Sequence, residues 1–417
     1  MPIRARPVRV DRPADLEPAF LRMGLPTSAR EYLLEKLPAL HVLLTGLERE
    51  QGRFLAGLFS ASEAPGREEY PGWVAGDLRV RPGTGLLSGR KEQFERVVAA
   101  AKERPELAEL AAALARVLEA SAPPAPLVLG SRTFTFGART SVMGVVNVTP
   151  DSFSDGGRYF GTEAAVAHGL RLAEAGAEVL DVGGESTRPG SPPVSVEEEV
   201  ARIVPVLEGL RARTDVPLSV DTTKAAVARE ALKAGAVLVN DISGFHFDPE
   251  LPRVTAEAGA ACCLMHIQGT PQTMQKDPHY EDVVDEVLAF LEEGVERAVA
   301  AGVPRGRVLV DPGIGFGKTL GHNLYLLRRL DELRVLGLPL LVGTSRKSFL
   351  GKLTGGKPAD ERLAATLGSV AAMAAAGNAD FVRVHDVAEV KDALTVADAL
   401  RTALDGGALY QPGKVGG

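Results

Sequence analysis

Acidic, amide and basic side chains recur directly after short apolar runs in the later two thirds of this chain. Asp221 closes Leu-Ser-Val-Asp, Asn240 closes Val-Leu-Val-Asn, and Asp311 closes Val-Leu-Val-Asp. Lys347 lies in Thr-Ser-Arg-Lys-Ser, and Arg383 and His385 share Arg-Val-His-Asp. Asp221, Asn240, Asp311 and Lys347 combine acceptors and donors in a way that suits a heteroaromatic ring with amide and amino edges. Buried carboxylates beside a lysine can hold a charged ring or buffer a proton. Asn147, Arg383, His385 and the Ser/Thr-containing run around 185–188 suit a phosphate. Lys347 and Ser348 read as a helix start, where free N–H groups favour an anion.

The stretch 308–318, Val-Leu-Val-Asp-Pro-Gly-Ile-Gly-Phe-Gly-Lys, resembles a nucleotide loop but fails its spacing. A phosphate loop needs a glycine where Pro312 stands, and Gly313, Gly315 and Gly317 do not give the dinucleotide pattern. The loop therefore reads as one whose glycines let backbone approach a ligand closely.

Such residues need a frame that gathers strand ends. Apolar strands are expected at 142–148, 179–182, 218–220, 237–240, 261–266, 308–310, 340–342 and 381–384. Helices are expected at 162–175, 197–212, 223–234, 250–258, 280–301, 321–335, 360–376 and 387–404. Eight β–α units of this size predict a (β/α)8 TIM barrel, whose chemistry collects at the C-terminal ends of the strands. A doubly wound sheet is the alternative, but no Rossmann fingerprint accompanies the units. The first and second βα loops are long, polar and rich in Gly and Pro, like mobile lids.

Residues 1–120 have a different rhythm and read as a mainly helical extra domain. Helices are expected at 30–59, kinked at Pro38, and at 91–120, around a Gly/Pro-rich stretch that holds Trp73. No catalytic spacing of acids, His or Cys stands out there. Ser-Ala-Pro-Pro-Ala-Pro opens a linker at 121–130, with a short hairpin expected within 127–136. The barrel then runs over 131–405, followed by a tail at 406–417.

Several polar residues have plainer readings. Asp181 reads as a tie between loops, Asp386 as a cap of the last helix, His266 as a satisfied core histidine and Lys318 as a solvated loop lysine. Glu185 is open between a structural and a functional role. The remaining histidines lack metal-ligand spacing.

Bulk properties narrow the classes further. The chain has 417 residues, 45% hydrophobic content, a net charge of −7 and only 5% aromatics. That argues against a nucleic-acid binder, which would need basic patches and stacking platforms. The two cysteines, Cys262 and Cys263, adjoin in an apolar run and read as core thiols. No signal peptide and no span of ~20 apolar residues is visible, so a cytoplasmic protein with no membrane partner is expected.

Seven segments in order, VVNVTPDSFSDGG, EVLDVGGESTRPG, LSVDTTK, VNDISG, DPGIGFGK, TSRKSFLG and RVHD, resemble those of dihydropteroate synthases, the folate-pathway enzymes that sulfonamides inhibit. The resemblance covers about 131–405. The fifth strand departs, with Met-His-Ile where Met-His-Met is expected. The resemblance implies that p-aminobenzoate displaces pyrophosphate from 6-hydroxymethyl-7,8-dihydropterin pyrophosphate to give 7,8-dihydropteroate. It implies that Asp221, Asn240, Met265, Asp311 and Lys347 hold the pterin. Asn147, Arg383 and His385 would hold pyrophosphate, with Mg²⁺ near Asn147. Phe153, Thr187, Arg188, Pro189, Phe316 and Ser348 would shape the p-aminobenzoate side. It further implies a homodimer through the late helices. A pterin-dependent methyltransferase, a Schiff-base aldolase using Lys347 and a non-catalytic pterin-binding scaffold are the rival readings.

Overall fold

In the computed structural model, the described residues are 40–44, 46–62, 72–75, 85–120, 122–149 and 157–403. They divide into two compact units, with Pro123–Thr402 forming the second.

In the first unit, β1 (Leu40–Leu44), β2 (Gly72–Ala75) and β3 (Gly85–Gly89) form an antiparallel sheet in the order β1-β3-β2. It accompanies α1 (Arg49–Ser62), α2 (Lys91–Lys102) and α3 (Ala108–Glu119). Among the described residues helices predominate, but the helix expected at 30–59 is corrected where it is described: Leu40–Leu44 is a strand and a helix begins at Arg49, while 30–39, with the kink at Pro38, lie outside the described residues. The leucines at 40, 43 and 44 fit either period, and only their pairing with 85–89, far along the chain, decides for strand. Pro105, in a short 3-10 turn, separates α2 from α3. Val42, Leu55, Leu87, Phe94, Val97 and Leu114 form the core of this unit.

The second unit opens with a hairpin, β4 (Leu127–Leu129) and β5 (Arg132–Phe134). Eight parallel strands follow, each leading to one or more helices. They are β6 (Ser141–Asn147), β7 (Val179–Gly183), β8 (Leu218–Asp221), β9 (Leu238–Asp241), β10 (Ala261–Met265), β11 (Val308–Asp311), β12 (Leu341–Val342) and β13 (Phe381–Val384). The helices are α4 (Gly157–Glu174), α5 (Val196–Arg211), α6 (Ala225–Lys233), α7 (Leu251–Glu257), α8 (Val283–Ala300), α9 (Leu320–Arg328), α10 (Ser348–Leu353), α11 (Leu363–Ala375) and α12 (Val387–Thr402). The sheet order is β11-β10-β9-β8-β7-β6-β13-β12. A parallel bridge between Val310 and Leu340, with the Val310 N–H donating to Pro339 O at 3.0 Å, joins its two ends. The fold is a (β/α)8 barrel. The helix expected at 321–335 is two pieces, α9 and a 3-10 turn at Leu330–Leu336.

Alternation along these strands explains why the sequence reads as unbroken apolar runs. One set of residues, including Val142, Leu180, Val220, Val239, Leu264, Val310 and Val382, packs outward against the helices. The alternate set faces the barrel interior. At the N-terminal end that set is Met143, Val179, Leu238, Ala261, Leu309, Leu341 and Phe381, packed with Leu127, Leu129 and Phe134 of the hairpin. The hairpin thus plugs the bottom of the barrel and belongs with it rather than with a linker. Two residues further along the same strands stand Asp181, Asn240, Asp311 and Arg383.

Candidate active site

The upper interior is built from strand ends whose side chains point at one another. Arg383 on β13 donates through Nε to Asp181 Oδ2 at 2.6 Å and through Nη2 to Asp221 Oδ2 at 2.7 Å. Asn240 Nδ2 donates to the same Asp181 oxygen at 2.9 Å. Asp181 is fully buried. The sequence suggests a tie between loops; in the fold its side chain instead joins Asn240 and Arg383 of the site. Its signal was present: it stands on a strand two residues past Val179, on the inward side.

Burial raises the Asp221 carboxyl to about 7, and Asp181, Glu199 and Asp241 add to that against the pull of Arg383. Burial acts against the Arg383 cation, but Asp181 and Asp221 outweigh it and hold the guanidinium charged.

A second group forms around Asp311 and Lys347. Burial raises the Asp311 carboxyl against the opposing Lys347 charge and the N–H of Gly313, which donates to Asp311 Oδ1 at 2.7 Å. Burial lowers the Lys347 ammonium to about 8, against the pull of Asp311. Lys347 Nζ donates to Ile314 O and lies 4.6 Å from the centre of the Phe316 ring, a cation–π contact. Met265 packs with Ile242, Ile267 and Met274, and Phe316 lies against this cluster. The polar cup therefore has one apolar wall.

Lys347 is held by backbone strain with visible support. Arg346 before it is not glycine, yet its φ is +59°. Its N–H donates to Thr366 Oγ1 at 3.1 Å, Arg362 Nη1 donates to its carbonyl at 2.8 Å, and its guanidinium pairs with Asp386. The side chain of Asp386, expected to cap the last helix, thus serves Arg346. As expected, Lys347 and Ser348 stand at a helix start, that of the six-residue α10.

The glycine loop 313–317 closes over β10. Gly313 has φ +66°, and a Cβ there would lie 1.8 Å from His266 O. A Cβ on Gly317, at φ +62°, would meet the Gln268 backbone at 2.7 Å. Only glycine allows this approach. Lys318 then turns inward, 3% exposed, with Nζ 2.8 Å from His266 Nδ1 and donating to Gly313 O and Phe316 O at 3.0 Å each. The solvated lysine expected from sequence is corrected. One of its partners, His266, stands 52 residues away just past β10, so no local pattern shows it. His266 is the satisfied, buried histidine expected.

His385 is drawn to Ser345. The His385 N–H donates to Ser345 Oγ at 3.2 Å, and that hydroxyl lies 3.0 Å from His385 Nδ1. The hydroxyl has a second lone pair and one O–H, so it fits either tautomer of the ring. Burial, Arg383 and Arg346 push the imidazole down to about 3, so it is a neutral N–H donor.

Asn147 ends β6, half-buried opposite Gly183. Thr187 is half-buried; Arg188, Pro189 and Ser348 are exposed. Phe153 lies outside the described residues. The second loop touches the fifth, with Gly190 N–H donating to Pro271 O at 3.2 Å and Gln272 Nε2 to Ser191 O at 3.3 Å.

Fold and site define a (β/α)8 barrel enzyme with a charged, part-apolar cup at the strand C-termini. Residues 143–385 match the family described as pterin binding enzyme, and the chain belongs to that family. A dihydropteroate synthase from a Synechocystis strain is 48% identical over 277 residues, covering 66% of this chain and 96% of the relative. The dihydropteroate synthase of Xanthomonas albilineans has been solved with 4-aminobenzoic acid; it is 48% identical, has a TM-score of 0.62, and the match covers 67% of this chain and 98% of that one. A second structure of that enzyme holds 7,8-dihydropteroate, at 46% identity and a TM-score of 0.60, with 66% and 99% covered. Within the pterin binding enzymes, these relatives place the chain among the dihydropteroate synthases. Among the described residues, no helix is long and apolar enough to cross a membrane.

Proposed function

We propose that the barrel condenses 6-hydroxymethyl-7,8-dihydropterin pyrophosphate with p-aminobenzoate to give 7,8-dihydropteroate and pyrophosphate; relatives solved with 4-aminobenzoic acid and with 7,8-dihydropteroate support this reading. The observation that carries this assignment of roles is the gathering of Asp221, Asn240, Asp311, Lys347 and Arg383 in one cup, where Arg383 bonds Asp181 and Asp221, Asn240 bonds Asp181, and the Lys347 charge acts on the buried Asp311. Asp221 and Asn240 would hold the amino and amide edges of the pterin, Lys347 an acceptor on its ring, and Met265 its face. Arg383 and the His385 ring would hold pyrophosphate. Thr187, Arg188, Pro189, Phe316, Ser348 and Phe153 would border p-aminobenzoate.

In this reading the C–O bond to pyrophosphate breaks ahead of full C–N bond formation. Positive charge then develops on the methylene and spreads into the pterin, where the Asp311 carboxylate stabilises it. The amine nitrogen of p-aminobenzoate forms the new bond and loses a proton to solvent. That amine is neutral and needs positioning more than a strong base. When bound, Mg²⁺ offsets the charge of the leaving group. Among the described residues no three His, Cys, Asp or Glu gather to hold a metal. Asn147 would offer its amide oxygen to the ion, a hard donor of the kind that suits Mg²⁺.

We also propose a cytoplasmic homodimer through α11 and α12; Val396 and Leu400 on α12 are exposed apolar residues that such a contact would cover. The test of function is direct. The purified chain, given the pterin pyrophosphate, p-aminobenzoate and Mg²⁺, should release pyrophosphate and dihydropteroate in equal amounts. Tight pterin binding with no product would leave a binding scaffold instead.

A further inference from the structure

The second βα loop is closed into a ring by one lysine that the reaction itself does not use. Lys224 follows β8, three residues beyond Asp221. Its Nζ donates to Glu185 Oε2 at 2.6 Å, to Val194 O at 2.7 Å and to Glu199 Oε2 at 2.6 Å. Glu185 opens the loop and Val194 ends it. The Val194 N–H also donates to Glu185 Oε1 at 3.1 Å, so the two stems meet directly as well. Glu199, on the first turn of α5, is fully buried and anchors the ammonium from below. Arg202 Nη1 adds a bond of 2.7 Å to Gly184 O, and the Ser195 side chain caps α5.

The enclosed segment, 186–193, carries Thr187, Arg188 and Pro189. Its stems are fixed by a residue of the β8 loop, the same strand that presents Asp221. We infer that Lys224 is a positioning residue for the second substrate: by pinning both stems of the loop it holds residues 186–193 ready to receive p-aminobenzoate. A tethered loop loses less conformational freedom when the ligand arrives, so binding costs less. Glu185, open between two roles on sequence, becomes part of this tether. The expectation that the second loop is a mobile lid gives way to a loop held at both ends, its tip resting on residues 271 and 272.

This inference rests on the proposed function for its kinetic readout, and a second readout frees it from that dependence. Lys224→Met alone strands the buried Glu199 carboxylate, which threatens folding. The test pair is therefore Lys224→Met/Glu199→Gln and, separately, Glu185→Gln, with Lys224→Arg as the charge-conserving control. The expected result is a rise of about tenfold in KM for p-aminobenzoate. KM for the pterin pyrophosphate should stay within about twofold, and Lys224→Arg should restore much of the loss. Amide exchange in 186–193 of the ligand-free variants should speed up while that of the barrel strands does not. The inference is overturned if both KM values move together, if Lys224→Arg behaves like the methionine variant, or if exchange in 186–193 is unchanged. If the unmodified chain forms no dihydropteroate, the functional reading fails, and the exchange result alone decides whether the tether exists.

Discussion

The two ends of the barrel use the same strands for opposite purposes. At the bottom, Val179, Leu238, Leu309 and Phe381 meet the hairpin residues Leu127, Leu129 and Phe134 in a fully apolar plug. Two residues further on, the same strands present Asp181, Asn240, Asp311 and Arg383. The lower layer gains from burial of apolar surface. The upper layer places charges out of water, which costs stability unless each finds a partner. Arg383 offsets Asp181 and Asp221, and Lys347 offsets Asp311. The contrast teaches that the top is kept for chemistry and the bottom for stability, so perturbations at the two ends should separate.

The largest expected effect is at the top. Asp311→Asn should lower turnover by about 10²–10³-fold, as loss of a group aimed at transition-state charge does elsewhere. Full turnover in the variant would break the division of labour. A smaller effect is expected at the bottom. Phe134→Leu removes a ring pair with Phe381, whose centroids are 5.1 Å apart, and should cost about 1 kcal/mol in denaturant unfolding. Turnover per folded molecule should be unchanged. A fall in turnover without a fall in stability would show that the plug acts on the site.

The smallest effect is a pH dependence. The Asp221 carboxyl is raised in the folded chain, so its contribution to stability is full below its unfolded value of 3.8 and is lost as pH rises through about 7. Asp221→Asn abolishes this dependence. The thermal midpoint of the variant minus that of the parent should therefore increase from pH 5 to pH 8. Lys347, lowered to about 8, acts in the other sense, because its contribution is lost as pH falls through 8. A difference that stays flat across this range would remove the raised Asp221 carboxyl from the account.

Much of this was legible in the sequence, for physical reasons. Buried parallel strands read as apolar runs, so the eight barrel strands and the strand-end Asp221, Asn240, Asp311 and Arg383 fell out of local pattern. Contacts made at a distance did not. Nothing near Lys318 announces that His266 will meet it, nothing near Asp181 announces Arg383, and the stem-to-stem role of Lys224 depends on Glu185 and Glu199 together. The strand at Leu40–Leu44 was missed for the same reason, since its partner is at 85–89.

The central claim is that the cup stabilises a methylene carrying positive charge as pyrophosphate leaves. Deuterium on that methylene, followed in single-turnover reactions of the unmodified chain, tests it most directly. The account predicts a clearly normal secondary isotope effect, with the deuterated substrate reacting more slowly. An inverse effect, or none, would contradict it and favour direct displacement by the amine.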